Sequence, residues 1–96
     1  MSSFAQIQAE YTRYLEKERN LSEHTIRAYL GDLESFVSNL EMQQVDDLSL
    51  ATIAHIRSWL ANQQVKGGAR TTLSRRAVSI RLFTKWATRR DIWQRM

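Results

Sequence analysis

Few side chains in this chain are spaced for catalysis or for metal binding. The two histidines, His24 and His55, lie far apart in the sequence, and no cysteine accompanies them to complete a metal site. Asp46 and Asp47 are adjacent carboxylates, but they precede an expected helix start, where the helix dipole stabilises negative charge. No glycine-rich phosphate loop is present. We therefore expect no catalytic residue, no metal and no cofactor within these 96 residues.

The residues suited to binding lie in the last third of the chain. From residue 66 onward there are nine basic residues and one acid, Asp91, whereas residues 1–65 hold five bases and nine acids. Such an asymmetry is typical of a surface that faces a polyanion. A Lys-Gly-Gly turn at 66–68 leads into the pair Thr71 and Thr72. This pattern predicts a helix N-terminus, where backbone amides add to the basic side chains in binding phosphate.

We predict a DNA-binding surface made of this loop, the helix start that follows it and the start of an earlier helix. Arg and Lys neutralise phosphates, while hydroxyl groups and N-terminal amides donate hydrogen bonds to them. The predicted contacts are Lys66, Arg70, Thr71, Thr72, Ser74, Arg75 and Arg76, together with His24, Thr25 and Arg27. The alternative is that these are solvated cations of an ordinary surface helix. The ratio of nine bases to one acid favours binding.

Four helices are expected to position these residues, because the chain has no proline and only three glycines. Apolar residues at helical spacing predict a first helix over about 3–18, a second from 23 to about 40, a third that ends near 64 and a fourth from 71 or 72 to about 90. Along the third helix the residues expected to face the core are Ile53, Ile56 and Leu60.

Local signals at the helix ends support these bounds. Ser22 and Ser49 are each followed at the same spacing by Thr and Ile, and we interpret both serines as N-caps. Asn20 is suited to the left-handed conformation that ends a helix. On one side of the second helix the residues are small, which allows close approach either of another helix or of DNA; they are Ala28, Gly31 and Ser35.

The fourth helix carries apolar residues on two sides, which is typical of a helix buried between neighbours. One stripe includes Ile80 and Phe83, and the second consists of Val78, Leu82 and Trp86. We expect this helix to be central, with the second stripe against the first helix or the C-terminal tail. The alternative is that Val78, Leu82 and Trp86 form an interaction surface for another protein.

Length and hydropathy limit the remaining classes. A chain of 96 residues is expected to form one domain. Its start lacks the features of a signal peptide, and no apolar run approaches the roughly 20 residues that span a bilayer. We therefore expect a cytoplasmic protein with no membrane partner and no small-molecule ligand. A pI near 10.0 favours nucleic acid as the partner.

Three blocks of sequence resemble the N-terminal core-binding domain of tyrosine recombinases. They are RNLSEHTIRAYLGDLESF at 19–36, IRSWLA at 56–61 and SRRAVSIRLFTKWA at 74–87. The matching positions are Leu21, Ser22, Thr25, Tyr29, Asp32, Leu33 and Phe36, then Arg75, Arg76, Ile80, Arg81, Phe83 and Trp86. The chain is most similar to the Xer group, and the block at 57–61 resembles its XerC branch more than its XerD branch.

The resemblance implies an all-α fold, a SAM-like orthogonal bundle of four helices packed as two crossing pairs, with no sheet. In that family the second and fourth helices lie against the major groove and phosphates of double-stranded DNA. The catalytic residues belong to a C-terminal domain, so residues 1–90 would form the core-binding domain and 91–96 the start of a linker to an absent catalytic domain. Asp91 departs from the family, which commonly has Gly there, and the chain stops before the usual Asn-Pro of the linker.

The function that the resemblance implies is DNA binding within a recombinase that cuts and rejoins DNA at a recombination site. Its partners would be an XerD-like recombinase and like protomers on the DNA, and its task the resolution of chromosome dimers at cell division. This part alone would not be an enzyme. Two alternatives remain open on the residues: a stand-alone helical DNA-binding protein of the helix-turn-helix or nucleoid type, and a helical protein-interaction module.

Overall fold

Four α-helices account for most of residues 3–93, the part of the chain that this computed structural model describes. They are α1 (Phe4–Lys17), α2 (Glu23–Met42), α3 (Ile53–Val65) and α4 (Arg70–Arg89). A short 3-10 turn, Leu48–Leu50, lies between α2 and α3, and no strand occurs in residues 3–93. The predicted all-α class and helix number are confirmed. None of the helices in the described range has the length and apolar character needed to cross a membrane.

The helix starts follow capping chemistry that was only partly predictable. Ser22 accepts a hydrogen bond from the backbone N–H of Thr25 at 3.1 Å, which confirms it as the N-cap of α2. Ser49, however, lies inside the 3-10 turn and is not the N-cap of α3, so that interpretation was wrong. The N-cap is Thr52, whose backbone N–H donates to Nδ1 of His55 at 2.9 Å. The 3-10 turn thus delays the start of α3 by three residues.

A left-handed residue follows each of the four helices in the described range. The φ angles are 50° at Asn20, 61° at Gln44, 83° at Gly67 and 59° at Asp91. After α2, α3 and α4 the next residue donates its N–H to the carbonyl five positions earlier, at 2.9, 3.1 and 2.8 Å. This is the Schellman arrangement, which satisfies carbonyls left unpaired at a helix end. The prediction for Asn20 is confirmed, and the backbone at Asp91 explains why glycine suits that position.

An aromatic cluster joins α1 to α4. The ring centroid of Tyr11 lies 5.1 Å from that of Phe83 and 5.0 Å from that of Trp86. Trp86 is only 3% exposed, which confirms that α4 packs against the first helix. Val78 is 54% exposed and Leu82 is half-buried, so Val78, Leu82 and Trp86 do not form one interaction surface. That alternative fails because the large ring of the set is part of the core.

A second aromatic cluster joins α2, α3 and the residues after α4. Phe36 lies between Trp59, at a centroid distance of 5.5 Å, and Trp93, at 6.1 Å. Trp59 is fully buried and donates from Nε1 to Oγ of Ser35 at 3.0 Å, whereas Ile53 is 46% exposed and does not face the core as predicted. Because Trp93 is buried, the packed domain continues three residues beyond the expected boundary at 90. Residues 94–96 of the expected linker lie outside the described residues.

Candidate nucleic-acid interface

α4 presents a long cationic surface to solvent. Its 20 residues include six basic side chains and no acidic one. At about 100° per residue, the exposed side chains on the side opposite buried Ile80 and Phe83 include five between Arg70 and Lys85 at spacings of three or four residues. We call this set the outer face of α4; its members are Arg70, Ser74, Val78, Arg81 and Lys85. Positive charge therefore runs along the whole helix and is not confined to its start.

The N-terminal end of α4 adds backbone donors to this surface. Its N-cap is Ala69, and no side chain in the described part of the chain caps the first turn by a hydrogen bond. The amides of the first turn are therefore available to an anion, and the positive end of the helix dipole favours one there. Lys66, Arg70 and Thr71 are exposed around this end, while Thr72 is half-buried. Helix α4 begins at Arg70, one or two residues before the predicted start at Thr71 or Thr72.

Arg75 and Arg76 have a different environment from the exposed cations. Arg75 donates from Nε to Oδ2 of Asp32 at 3.1 Å and from Nη2 to Oδ1 at 2.5 Å. Nε of Arg76 lies 3.3 Å from the same Oδ1. Asp32 is 1% exposed, so the pair of arginines compensates a buried charge. The hydrogen bond to Asp32 is the main cause that raises the pKa of Arg75.

The guanidinium of Arg76 is used inside the domain. Besides its ion pair with Asp32, it donates from Nη1 to the side-chain oxygen of Gln63, and its Cζ lies 5.8 Å from the ring centroid of Trp59. The Arg76 side chain is 20% exposed, against 41% for Arg75. The structure therefore separates Arg76 from the exposed predicted contacts, because its charge joins α2, α3 and α4.

The start of α2 supplies the remaining predicted contacts. His24 is exposed, and Thr25 is half-buried with its hydroxyl accepting a hydrogen bond from Ser22 at 2.9 Å. Arg27 forms an ion pair with Glu23 at 3.4 Å, with both side chains more than three-quarters exposed. Exposed pairs of this kind are worth ~0.2–1 kcal/mol, so Arg27 can leave Glu23 for a phosphate.

The two helix starts lie at the same end of the α2–α4 pair. Asp32 contacts Arg75, and Leu40 near the end of α2 lines one cavity with Arg90, the C-cap of α4, so both helices lead from this ion pair to the same cavity. His24 precedes Asp32 by eight residues, or about 12 Å of helix, and Arg70 precedes Arg75 by five, or about 8 Å. The predicted contacts of α2 and α4 thus project beyond the Asp32–Arg75 pair on one side.

The small-residue side of α2 packs against α3 in one part and is exposed to solvent in another. Ser35 accepts the hydrogen bond of Trp59, so this part of the side packs against α3. Gly31 is exposed, and a Cβ built on it would meet no atom of the described residues within 4 Å. No helix within residues 3–93 crosses at Gly31, so its backbone is open to a partner outside these residues.

Four acidic side chains line a cavity at the ends of α2 and α4, away from the starts of those two helices. The cavity, of about 710 Å³, lies between the start of α1, the end of α2 and the residues after α4. Among its lining residues are four carboxylates and one base; they are Glu41, Asp46, Asp47, Asp91 and Arg90. The domain is therefore electrostatically polarised. In the described range no group of three or more His, Asp or Glu side chains is arranged to hold a metal ion.

Arg81 and Lys85 were not among the contacts predicted from the sequence. The signal was nevertheless present, since Arg70, Ser74, Arg81 and Lys85 repeat at spacings of four, seven and four residues. The acid that holds Arg75 and Arg76 lies 43 residues before Arg75, and no local pattern connects the two.

Comparison with known proteins places these features in a family context. The family model described as phage integrase, N-terminal SAM-like domain, matches residues 9–91. A protein named tyrosine recombinase XerC from Mycobacterium sp. (strain KMS) is 46% identical over 83 residues, which cover 85% of this chain and 28% of that protein. The proteins of the same name from Mycobacterium leprae and Mycobacterium tuberculosis are 46% identical over 80 residues and 43% identical over 83. These matches cover 81% and 86% of this chain, and 26% and 28% of those proteins. No solved structure was found to match.

Proposed function

The chain belongs to the phage integrase N-terminal SAM-like domain family, and we propose that it is the DNA-binding domain of a tyrosine recombinase of XerC type. The SAM-like bundle and the resemblance to tyrosine recombinases expected from the sequence are both confirmed by this match. The chain spans 26–28% of the length of the three XerC relatives described above. We therefore assign DNA binding to these residues and the cutting and rejoining of DNA to the remainder of the parent protein.

The observation that carries the proposal is the outer face of α4. Its three cations, Arg70, Arg81 and Lys85, are exposed over the length of the helix, and α4 contains no acid that would neutralise them. An α-helix with its side chains is about 10–12 Å wide, which matches the ~12 Å major groove of duplex DNA and exceeds the ~6 Å minor groove. α4 therefore lies in or along the major groove, with its cations directed to phosphates.

The start of α2 and the loop before α4 complete the interface. His24, Thr25 and Arg27 contact the backbone on one side of the groove, and Lys66 and Thr71 contact it at the N-terminus of α4. Arg75 stands between the two helices, since Asp32 holds two of its nitrogens and leaves Nη1 for an outside acceptor. Arg76 supports the arrangement from inside.

The parent protein acts at a recombination site and resolves chromosome dimers together with an XerD-like recombinase and like protomers. This work takes place on chromosomal DNA, hence in the bacterial cytoplasm. The domain extends through Trp93, because that ring packs on Phe36. A stand-alone DNA-binding protein is less well supported, since each relative named above continues for more than twice the matched length.

The test is a titration of the chain with a fluorescent 25-base-pair duplex at several salt concentrations. We expect the logarithm of the affinity to fall linearly with the logarithm of salt, with a slope of about −0.9 per phosphate contact. The double variant Arg81→Gln/Lys85→Gln should reduce that slope by about two and weaken binding at low salt at least tenfold, because each lost cation releases one counterion fewer.

A matched control is available on α1. Arg13 and Lys17 have the same i, i+4 spacing and are also exposed, but they line a small cavity with Tyr14 and Arg90, away from the outer face of α4. The variant Arg13→Gln/Lys17→Gln should retain most of the affinity and the slope. Equal losses in the two double variants would mean that binding follows net charge alone and would overturn the assigned surface.

A further inference from the structure

One apolar side chain lies in the middle of the cationic outer face of α4. Val78 is 54% exposed and has no acidic neighbour on its helix. On a helix surface its neighbours stand three and four residues away, and those at three residues are Arg75 on one side and Arg81 on the other. Ser74 lies one turn before it. A valine therefore lies between two arginines on the solvent-facing surface of α4.

Resting on the proposed function, we propose that Val78 contacts the 5-methyl group of thymine and makes α4 selective for a thymine at that position of its site. The edges of the bases in the major groove present hydrogen-bonding groups and a single apolar group, the thymine methyl. The long side chain of Arg81 reaches outward to a phosphate, and Arg75, held by Asp32, offers its remaining nitrogen Nη1. The short side chain between them faces the base edges.

The shape of valine suits this contact. A β-branched side chain in a helix has one strongly preferred χ1 rotamer, so placing its methyl groups against a base costs little conformational entropy. The helix that carries Val78 is also held firmly in the domain. Asp32 holds Arg75 with two hydrogen bonds, and the ring of Trp86 is buried in the core. Burying one methyl group is worth about a fourfold change in affinity.

The experiment starts from a duplex that the chain itself selects from a pool with a randomised centre. Each thymine of the enriched sequence is then replaced in turn by deoxyuridine, which lacks only the 5-methyl group. We expect one thymine, or two adjacent ones, at which the replacement weakens binding about fourfold. Val78→Ala should weaken binding to the thymine duplex by a similar factor and should bind the thymine and deoxyuridine duplexes equally.

The control is Leu50→Ala, which shortens another exposed apolar residue, 58% exposed and placed in the 3-10 turn, outside the outer face of α4; it should keep the methyl discrimination. Binding that is salt-dependent but indifferent to every thymine methyl overturns the inference and leaves the proposed function standing. Discrimination that persists in Val78→Ala also overturns it, since another residue would then read the methyl. A chain that enriches no duplex overturns the proposed function and this inference together.

Discussion

Arg75 of α4 holds Asp32 of α2 through two hydrogen bonds, one from Nε to Oδ2 at 3.1 Å and one from Nη2 to Oδ1 at 2.5 Å. The carboxylate is buried, and Arg76 approaches it from the same helix at 3.3 Å. Both helices carry proposed DNA contacts. The ion pair therefore fixes the position of one half of the interface relative to the other, and it keeps the guanidinium of Arg75 in a defined orientation at the surface.

Removing the charge of Asp32 should destabilise the fold. Asp32→Asn keeps the shape of the side chain but leaves two arginines without their anionic partner, one of them largely buried. We expect the free energy of unfolding to fall by about 2 kcal/mol, less than for a fully buried pair because Arg75 is partly solvated. Urea denaturation followed by circular dichroism measures it.

The matched control for that measurement is Glu34→Gln on the same helix. Glu34 is exposed and accepts a hydrogen bond from the side chain of Gln8 at 3.0 Å, so its charge contributes little to stability. A change below about 0.5 kcal/mol is expected. If Asp32→Asn and Glu34→Gln were equally mild, the Asp32–Arg75 pair would not hold α2 to α4.

Substitution of Arg70 should affect DNA binding alone, whereas substitution of Arg76 should affect the stability of the fold alone. Arg70→Gln removes an exposed cation, so we expect an unchanged melting temperature and a salt slope reduced by about one. Arg76→Gln removes partners of Asp32 and Gln63 and should lower the free energy of unfolding by about 1–3 kcal/mol. Its salt slope, measured where the variant is still folded, should match that of the unchanged chain. The opposite pattern would place Arg76 at the DNA.

Tyr11 should make the domain sensitive to alkaline pH. Burial is the largest cause that raises the pKa of Tyr11 in the folded chain, and no hydrogen-bond partner for its hydroxyl occurs among residues 3–93. The pKa of Tyr11 in the folded chain exceeds the unfolded value of about 10. Its contribution to the free energy of unfolding is therefore fully present below pH ~10 and is lost as pH rises above that value.

Tyr11→Phe should remove that part of the pH dependence. Below pH 9 we expect the variant to be more stable by about 1 kcal/mol, because it removes a buried hydroxyl that has no hydrogen-bond partner among residues 3–93. Above pH 10 the difference between the two proteins should widen. Denaturation curves from pH 7 to 11 test this, and a constant difference across that range would show that Tyr11 does not titrate on unfolding. Tyr14→Phe, at a half-buried position, is the control.

Local chemistry in the sequence was enough to predict most of the fold. Ser22 and Asn20 mark the ends of the first loop because capping and left-handed propensity depend on a few neighbouring residues. The prediction failed at Ser49, because a 3-10 turn includes that serine and α3 is capped later, by Thr52 with His55. The repeated Ser-x-x-Thr-Ile pattern did not show that Ser22 caps a helix and Ser49 does not.

The interface was less predictable than the helices. Charge counting found the basic segment, and the outward direction of Arg70 follows from helical spacing. Whether a cation is free or held depends on distant residues, as with Asp32 for Arg75 and Gln63 for Arg76. The resemblance to tyrosine recombinases marked Asp32, Arg75 and Arg76 as matching positions but did not show that they form one ion-pair cluster.

The end of α2 offers a site for stabilising the domain without touching the proposed interface. Gln44 is exposed and has a φ of 61°, a conformation that costs a residue with a Cβ roughly 1–2 kcal/mol. Gln44→Gly relieves this cost but gives the unfolded chain more conformational freedom, so we expect a net gain of about 0.5–1 kcal/mol. Gln44→Ala removes the same side chain and keeps the Cβ, so it should bring no gain. Thermal and urea denaturation of the two variants decide the matter, and equal stability would mean that the left-handed turn after α2 carries no strain. DNA affinity should stay constant in both, because Gln44 lies at the opposite end of α2 from His24.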